Sequence, residues 1–223
     1  MAFRVRMLGR ADYEPVWRAM QEFTEQRAED ATDELWLVEH PPVYTLGMNG
    51  DPAHILDAGE VSVVRTDRGG QVTYHGPGQL VLYTLVDLQR RRLGARRMVS
   101  ALEQAVIGLL RQYGLKAQAR SDAPGVYVDG AKIASLGLRI RRGCCYHGVA
   151  LNVRPELEAF GRINPCGHAG LPVTRLADLG VDAQVFEPAA ALVRELMVQL
   201  GDEEILVLSG LVLSEAEVAE ETA

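Results

Sequence analysis

The chain has 223 residues, 48% apolar and 24% charged, with a formal net charge of −7. That size supports one domain with its own core, and the acidic balance argues against nucleic acid as the main partner. No apolar run nears the ~20 residues of a membrane span. The Met1–Arg6 start lacks a secretory leader's apolar core, and three cysteines fit a reducing cytoplasm better than a disulfide framework.

A strand near Phe3–Leu8 precedes an amphipathic helix over about Asp12–Arg27, with Val16, Met20 and Phe23 on one face and Asp12 as N-cap. Two strand-like runs, Leu35–Glu39 and Val43–Gly47, are broken by Pro41-Pro42. The stretch Arg68–Leu80 carries five glycines or prolines around an arginine, a tyrosine and a histidine. It reads as a loop between strands Val61–Arg65 and Leu80–Leu85. Such a loop brings backbone N–H groups close to a ligand, so a substrate cradle competes with a plain glycine-rich turn.

A helix over about Ala95–Tyr113 ends at Gly114. Asp129-Gly130 signals a hairpin between Gly125–Val128 and Lys132–Leu136, and Arg142-Gly143 turns the chain into a strand over Cys145–Val153. Two helices are expected near Val173–Leu179 and Pro188–Leu200. The alternation predicts an α/β (α+β) single domain over 1–212, and an acidic tail over 213–223.

Of the 23 basic residues only Lys116 and Lys132 are lysines. A chain that uses arginine as its general cation keeps lysine where a proton must move, because guanidinium stays protonated near neutral pH. Lys116 reads as a surface position, which leaves Lys132. Cys166, in Asn164-Pro165-Cys166-Gly167, sits where a loop can present a thiol. A thiolate nucleophile needs a nearby cation, for which Lys132, His75, His147 and His168 are candidates; the alternative is a small apolar filler. Cys144 and Cys145 read as structural. The spacing of these cysteines with His147 and His168 is poor for zinc, so no metal is expected.

Four motifs occur in order: Arg68–Leu80, Gly130–Gly137, His147-Gly148-Val149-Ala150-Leu151-Asn152 and Asn164–Gly167. Together they resemble the lipoyl (octanoyl) transferase family, from about Leu35 to Leu179. The resemblance implies a fold shared with biotin and lipoate protein ligases, a mixed β-sheet flanked by helices with the acyl site over the sheet. It implies transfer of octanoate from acyl carrier protein to lipoyl domains of 2-oxoacid dehydrogenases and the glycine cleavage H protein, without cofactor, nucleic acid or membrane.

By the same resemblance, Cys166 forms an acyl-thioester and Lys132 lowers its pKa. The cradle is Arg68, Gly69, Gly70, Gln71, Val72, Thr73, Tyr74 and His75, with Ser135, Leu136 and Gly137, and Gly148, Val149 and Ala150. Gly137 and Gly148 are expected to leave room for the acyl chain. Carrier proteins are generally acidic, so Arg90–Arg92 with Arg96-Arg97, and Arg139 with Arg141-Arg142, are candidate docking patches. An ATP-dependent lipoate or biotin ligase on the same fold, and a noncatalytic binder of lipoyl domains or carrier protein, are the alternatives.

Overall fold

The computed structural model describes residues 3–202 and 205–208, without the side chains of Cys166 and of 205–208; the expected tail over 213–223 lies outside them. The strands are β1 (Phe3–Arg10), β2 (Asp33–Glu39), β3 (Val43–Leu46), β4 (Ser62–Arg65), β5 (Val72–His75), β6 (Gln79–Asp87), β7 (Ala117–Ala119), β8 (Gly125–Val128), β9 (Ala131–Arg141), β10 (Cys144–Asn152) and β11 (Ile205–Leu208). The helices are α1 (Tyr13–Gln26), α2 (Ala95–Gln112), α3 (Glu158–Gly161) and α4 (Ala189–Leu200).

Eight strands form one sheet in the order β11-β1-β2-β6-β10-β9-β8-β7. β1 runs parallel to β11 and β2, and the remaining pairs are antiparallel, so the sheet is mixed. Its central strands are buried on both faces, which is why they read as unbroken apolar runs. Alternation sorts them: Leu35 and Leu37 join a cluster with Met98, Leu102 and Val106 of α2 and Leu192 of α4. Trp36 and Val38 point the other way, into a cluster with Val16 and Met20 of α1. The expected mixed sheet with flanking helices is present.

Pro41-Pro42 does more than interrupt a strand. β2 stays in the large sheet, whereas β3 begins a second, three-stranded sheet in the order β4-β3-β5. The glycine-rich stretch is therefore not all loop. Val72–His75 forms β5, paired antiparallel with β3, and only residues 66–71 and 76–78 remain irregular.

Two other expectations need correction. Asp12 stands at the N-cap of α1 but makes no side-chain cap hydrogen bond. No helix spans Val173–Leu179: only a short 3-10 turn forms at Leu176–Leu179, because Pro172–Thr174 is committed to pairing with Lys132. The hairpin turns at Asp129-Gly130 and Arg142-Gly143 are as expected, all four residues having positive φ.

The 90–92 arginines help close one end of the molecule. Asp33, fully buried, accepts hydrogen bonds from Arg27 and Arg90 at 2.8 Å each and from Arg91, which also pairs with Asp202. Arg91 further lies over the Phe3 ring at 4.2 Å.

Candidate functional site

The site lies where the small sheet crosses the large one. Gly69 N–H donates to the Leu138 carbonyl at 2.9 Å, which pins the glycine-rich loop across β9. A Cβ on Gly137 would stand 3.0 Å from the Gly69 carbonyl oxygen, and one on Gly148 would stand 2.1 Å from that of Leu82. Both glycines thus permit backbone to approach backbone. Main chain takes the space where a Cβ would stand.

Beneath the crossing is a narrow, mostly apolar cavity of about 50 Å³ that opens on one side to solvent. Arg68, Gly70 and Gln71 line it from the loop, and Val72, Thr73 and His75 from β5. Ser135, Leu136 and Gly137 line it from β9, and Gly148, Val149 and Ala150 from β10. Two nominated residues lie elsewhere. Gly69 borders a neighbouring groove, and Tyr74 packs with Tyr44 and Phe160 in the core beneath the small sheet.

Tyr13, Val81, Tyr83 and His147 complete the wall. Sequence reasoning missed the first three because each belongs to an ordinary helix or strand run, and it weighed His147 only as a cation. Arg68 is itself buried, its guanidinium donating to the Thr45 hydroxyl and carbonyl and to the Gly69 carbonyl. It ties the loop to β3.

The polar groups around the cavity are buried but satisfied. His75 Nδ1–H donates to Gln79 Oε1 at 2.6 Å, Gln79 Nε2 to Asn152 Oδ1 at 2.9 Å, and Asn152 Nδ2 to the Thr174 carbonyl at 3.0 Å. This chain fixes one tautomer and leaves His75 Nε2 as an acceptor. Burial, with His40 nearby, pushes His75 down to about 3, so the ring is neutral at neutral pH. His40 donates from Nδ1 to the Ala11 carbonyl and accepts the Tyr83 hydroxyl at Nε2, and burial lowers it to about 4. None of these histidines is an imidazolium available to stabilise a thiolate.

A second network surrounds Asp67. Trp17, Gln21, Tyr146 and His147 all donate to its carboxylate. Burial alone would raise that carboxyl, yet the four donors hold it well below the usual range. Burial lowers His147 in spite of this carboxylate. The contact also holds His147 at φ +63°, a conformation uncommon outside glycine that persists only where the surroundings enforce it.

Lys132 is 2% exposed, a depth at which lysine needs polar partners. Its ammonium donates to the Pro124 carbonyl at 3.0 Å and lies 5.4 Å from the Tyr127 ring centroid. β8–β9 pairing slips by one residue beside it, an irregularity that re-aims side chains. Gly125, at φ +146°, makes room: a Cβ there would stand 2.5 Å from Lys132 Cε. Glu103 on α2 adds an unforeseen negative partner. Burial raises its carboxyl, while the Gly125 N–H and the Lys132 charge oppose the rise.

Cys166 lies in a 3-10 turn, Pro165–Gly167, that packs against β5. The turn is held at both ends. On entry, Asn164 N–H donates to the His54 carbonyl at 2.8 Å. On exit, Lys132 N–H donates to the Pro172 carbonyl at 2.8 Å, and Thr174 N–H to the Lys132 carbonyl at 2.9 Å. A Cβ on Gly167 would lie 3.3 Å from His54 Nε2 and 3.7 Å from Gln71 Cγ. The Cys166 side chain, and with it the expected ammonium–sulfur distance, lies outside the described residues. Cys144 and Cys145 are free, buried thiols in β10, and burial pushes Cys145 up to about 12.

Comparison with known proteins agrees with this geometry. The lipoyl protein ligase A/B catalytic domain family matches residues 12–197. The octanoyltransferase of Methylococcus capsulatus is 91% identical over 205 residues, covering 92% of this chain and 99% of that protein. The octanoyltransferase of Alkalilimnicola ehrlichii is 64% identical over 178 residues, or 80% of this chain and 83% of the other. Among solved structures, a lipoate-protein ligase A bound with ATP superposes with a TM-score of 0.77 at 18% identity, covering 99% of this chain and 94% of its own. Biotin protein ligase from Aquifex aeolicus in complex with biotin and ATP gives a TM-score of 0.54 at 12% identity, covering 89% and 70%. At those identities the structural likeness is one of fold.

Proposed function

The chain belongs to the lipoyl protein ligase A/B catalytic-domain family, and from that membership we propose that Cys166 relays an octanoyl group from acyl carrier protein to lipoyl domains. The protein is an acyltransferase. Its acceptors on this reading are the lipoyl domains of 2-oxoacid dehydrogenases and the glycine cleavage H protein, and its setting is the cytoplasm. Among the described residues no helix is long and apolar enough to cross a membrane.

One observation carries the reading: the backbone of Lys132 clasps the segment just beyond Cys166, beside an apolar cavity. The ammonium of Lys132 favours the Cys166 thiolate. That thiolate attacks the donor thioester carbonyl, the bond from carbonyl carbon to pantetheine sulfur breaks, and Lys132 passes its proton to the departing sulfur. Neutral Lys132 then takes a proton from the acceptor's ammonium. The freed amine attacks the Cys166 thioester, the amide forms, and the cysteine leaves as thiolate while one proton goes to solvent. Exchange between thiols is nearly balanced and amide formation runs downhill, so the donor thioester supplies the activation. Val72, Leu136, Val149 and Ala150 would hold the acyl chain over the sheet, ending at Tyr13 and Tyr83.

The test is direct. Wild-type protein incubated with octanoyl carrier protein gains one octanoyl mass, and Cys166→Ala gains none; an undiminished adduct in the variant ends this assignment. Lys132→Arg keeps the charge but cannot cycle its proton, so its kcat falls by about 10²-fold or more. Cys166 in that variant still alkylates rapidly with iodoacetamide. Lipoyl-domain modification from free octanoate and ATP, without carrier protein, would instead support an adenylating ligase.

A further inference from the structure

We infer that the groove beside the acyl cavity seats the pantetheine arm of the donor thioester, and that Arg139 holds the arm's phosphodiester. The inference rests on the acyl-transfer reading above and names where its donor lies.

The groove and the cavity share Gly70, Gln71 and Leu136 as walls, so they lie side by side. One end of the groove is Pro124, whose carbonyl takes the Lys132 ammonium, together with His168, two residues past Cys166. Its middle is apolar, lined by Val99, Leu136 and Leu138, and its far end is Met48 and Arg139. A thioester placed at Lys132 therefore sends the rest of its carrier toward Arg139.

Arg139 is the anomaly in this surface. Its Nε is buried with no acceptor, and its Nη1 lies 2.7 Å from the Sδ of Met48, a thioether and at best a weak acceptor. Arg27, Arg90 and Arg91 also keep one buried N–H each without a partner, but their other nitrogens donate to Asp33. Among the described residues no carboxylate pairs with Arg139. Asp122, which also lines the groove, stands near Pro124 and is paired with Arg120 at 2.6 Å. A partly desolvated guanidinium with a thioether and the Tyr146 phenol as neighbours, and no carboxylate paired to it among the described residues, lacks an anion, and its planar fork matches phosphate oxygens.

The dimensions agree. From sulfur to phosphorus the arm equals roughly five residues of extended chain, about 16 Å. Lys132 and Arg139 are about 23 Å apart along β9, and two long side chains close the difference. The apolar middle suits the dimethyl carbon between the arm's amides and its phosphate.

The experiment compares octanoyl-4′-phosphopantetheine with octanoyl-pantetheine, which lacks the phosphate, as donors for wild type and Arg139→Gln. Wild type is expected to prefer the phosphorylated donor by about tenfold or more in kcat/KM, and Arg139→Gln to bring that ratio close to one. Calorimetry with 4′-phosphopantetheine alone should show binding to wild type and loss of it in Arg139→Gln. A wild-type ratio near one, or the same ratio in the variant, overturns the inference while leaving octanoyl transfer standing. Failure of wild type to take octanoate from octanoyl carrier protein itself overturns the transfer reading.

Discussion

Two groups of arginines look alike along the chain and differ in the molecule. Arg90 and Arg91 converge with Arg27 on the buried Asp33, and Arg91 adds Asp202 and the ring of Phe3. Their charge is cancelled within the protein, where it fastens the β1–β2 end of the sheet to the start of α2. Arg139, Arg141 and Arg142 lie on β9 and the turn after it, close by, since the Gly143 carbonyl accepts the Leu88 N–H at 3.0 Å. Arg141 reaches Glu25, Arg142 only a backbone carbonyl, and Arg139 a thioether. A run of cations is therefore not yet a docking surface. What separates the two is whether a carboxylate on another element has already claimed the charge.

The sharpest test of that contrast is Asp33→Ala. It removes the carboxylate shared by three guanidinium groups, of which Arg27 and Arg91 are buried, and the expected loss is about 3–5 kcal/mol of unfolding free energy, measured by urea denaturation. Octanoyl transfer per folded molecule stays as it was. A loss below about 1 kcal/mol would mean that the cluster is no more structural than an ordinary surface pair.

Acid tests the buried histidines instead of the arginines. His40 and His75 are held neutral with values near 4 and 3, below the ~6.5 of an unfolded chain. As pH falls below 6.5 the unfolded state takes up protons that the folded site refuses. Stability is therefore greatest above 6.5 and declines toward the folded values, by up to about 1.4 kcal/mol per pH unit for each ring. Between pH 7 and pH 5 the two together should cost about 2–4 kcal/mol. A flat urea midpoint over that interval would show that the rings are protonated in the folded protein. The smallest effect belongs to Arg141→Ala: its pair with Glu25 is about half exposed, so the stability change should stay within about 0.5 kcal/mol.

Much of this was readable from the chain. Asp129-Gly130 marked its hairpin, because both positions demand positive φ. The apolar runs Leu35–Glu39 and Leu80–Leu85 marked central strands, and three of the four motifs marked the cavity walls. What escaped depended on partners distant in sequence. Val72–His75 reads as loop beside its glycines until β3 arrives to pair with it. The segment after Cys166 carries helical spacing that yields to pairing with Lys132. Glu103 looks like any charge on an amphipathic helix, and only the fold brings it near the lysine. Gly137 and Gly148 were singled out as room over the sheet, and only the fold shows that they also admit neighbouring main chain.

The clasp between Lys132 and Pro172–Thr174 couples two timescales. A turn lifted far enough to admit a bulky carrier would strain the lysine's own amide pairing, so gating and acid–base alignment become one motion. Deuterium uptake at Lys132 and Thr174 would then clock the opening, quickening or slowing in step with product release.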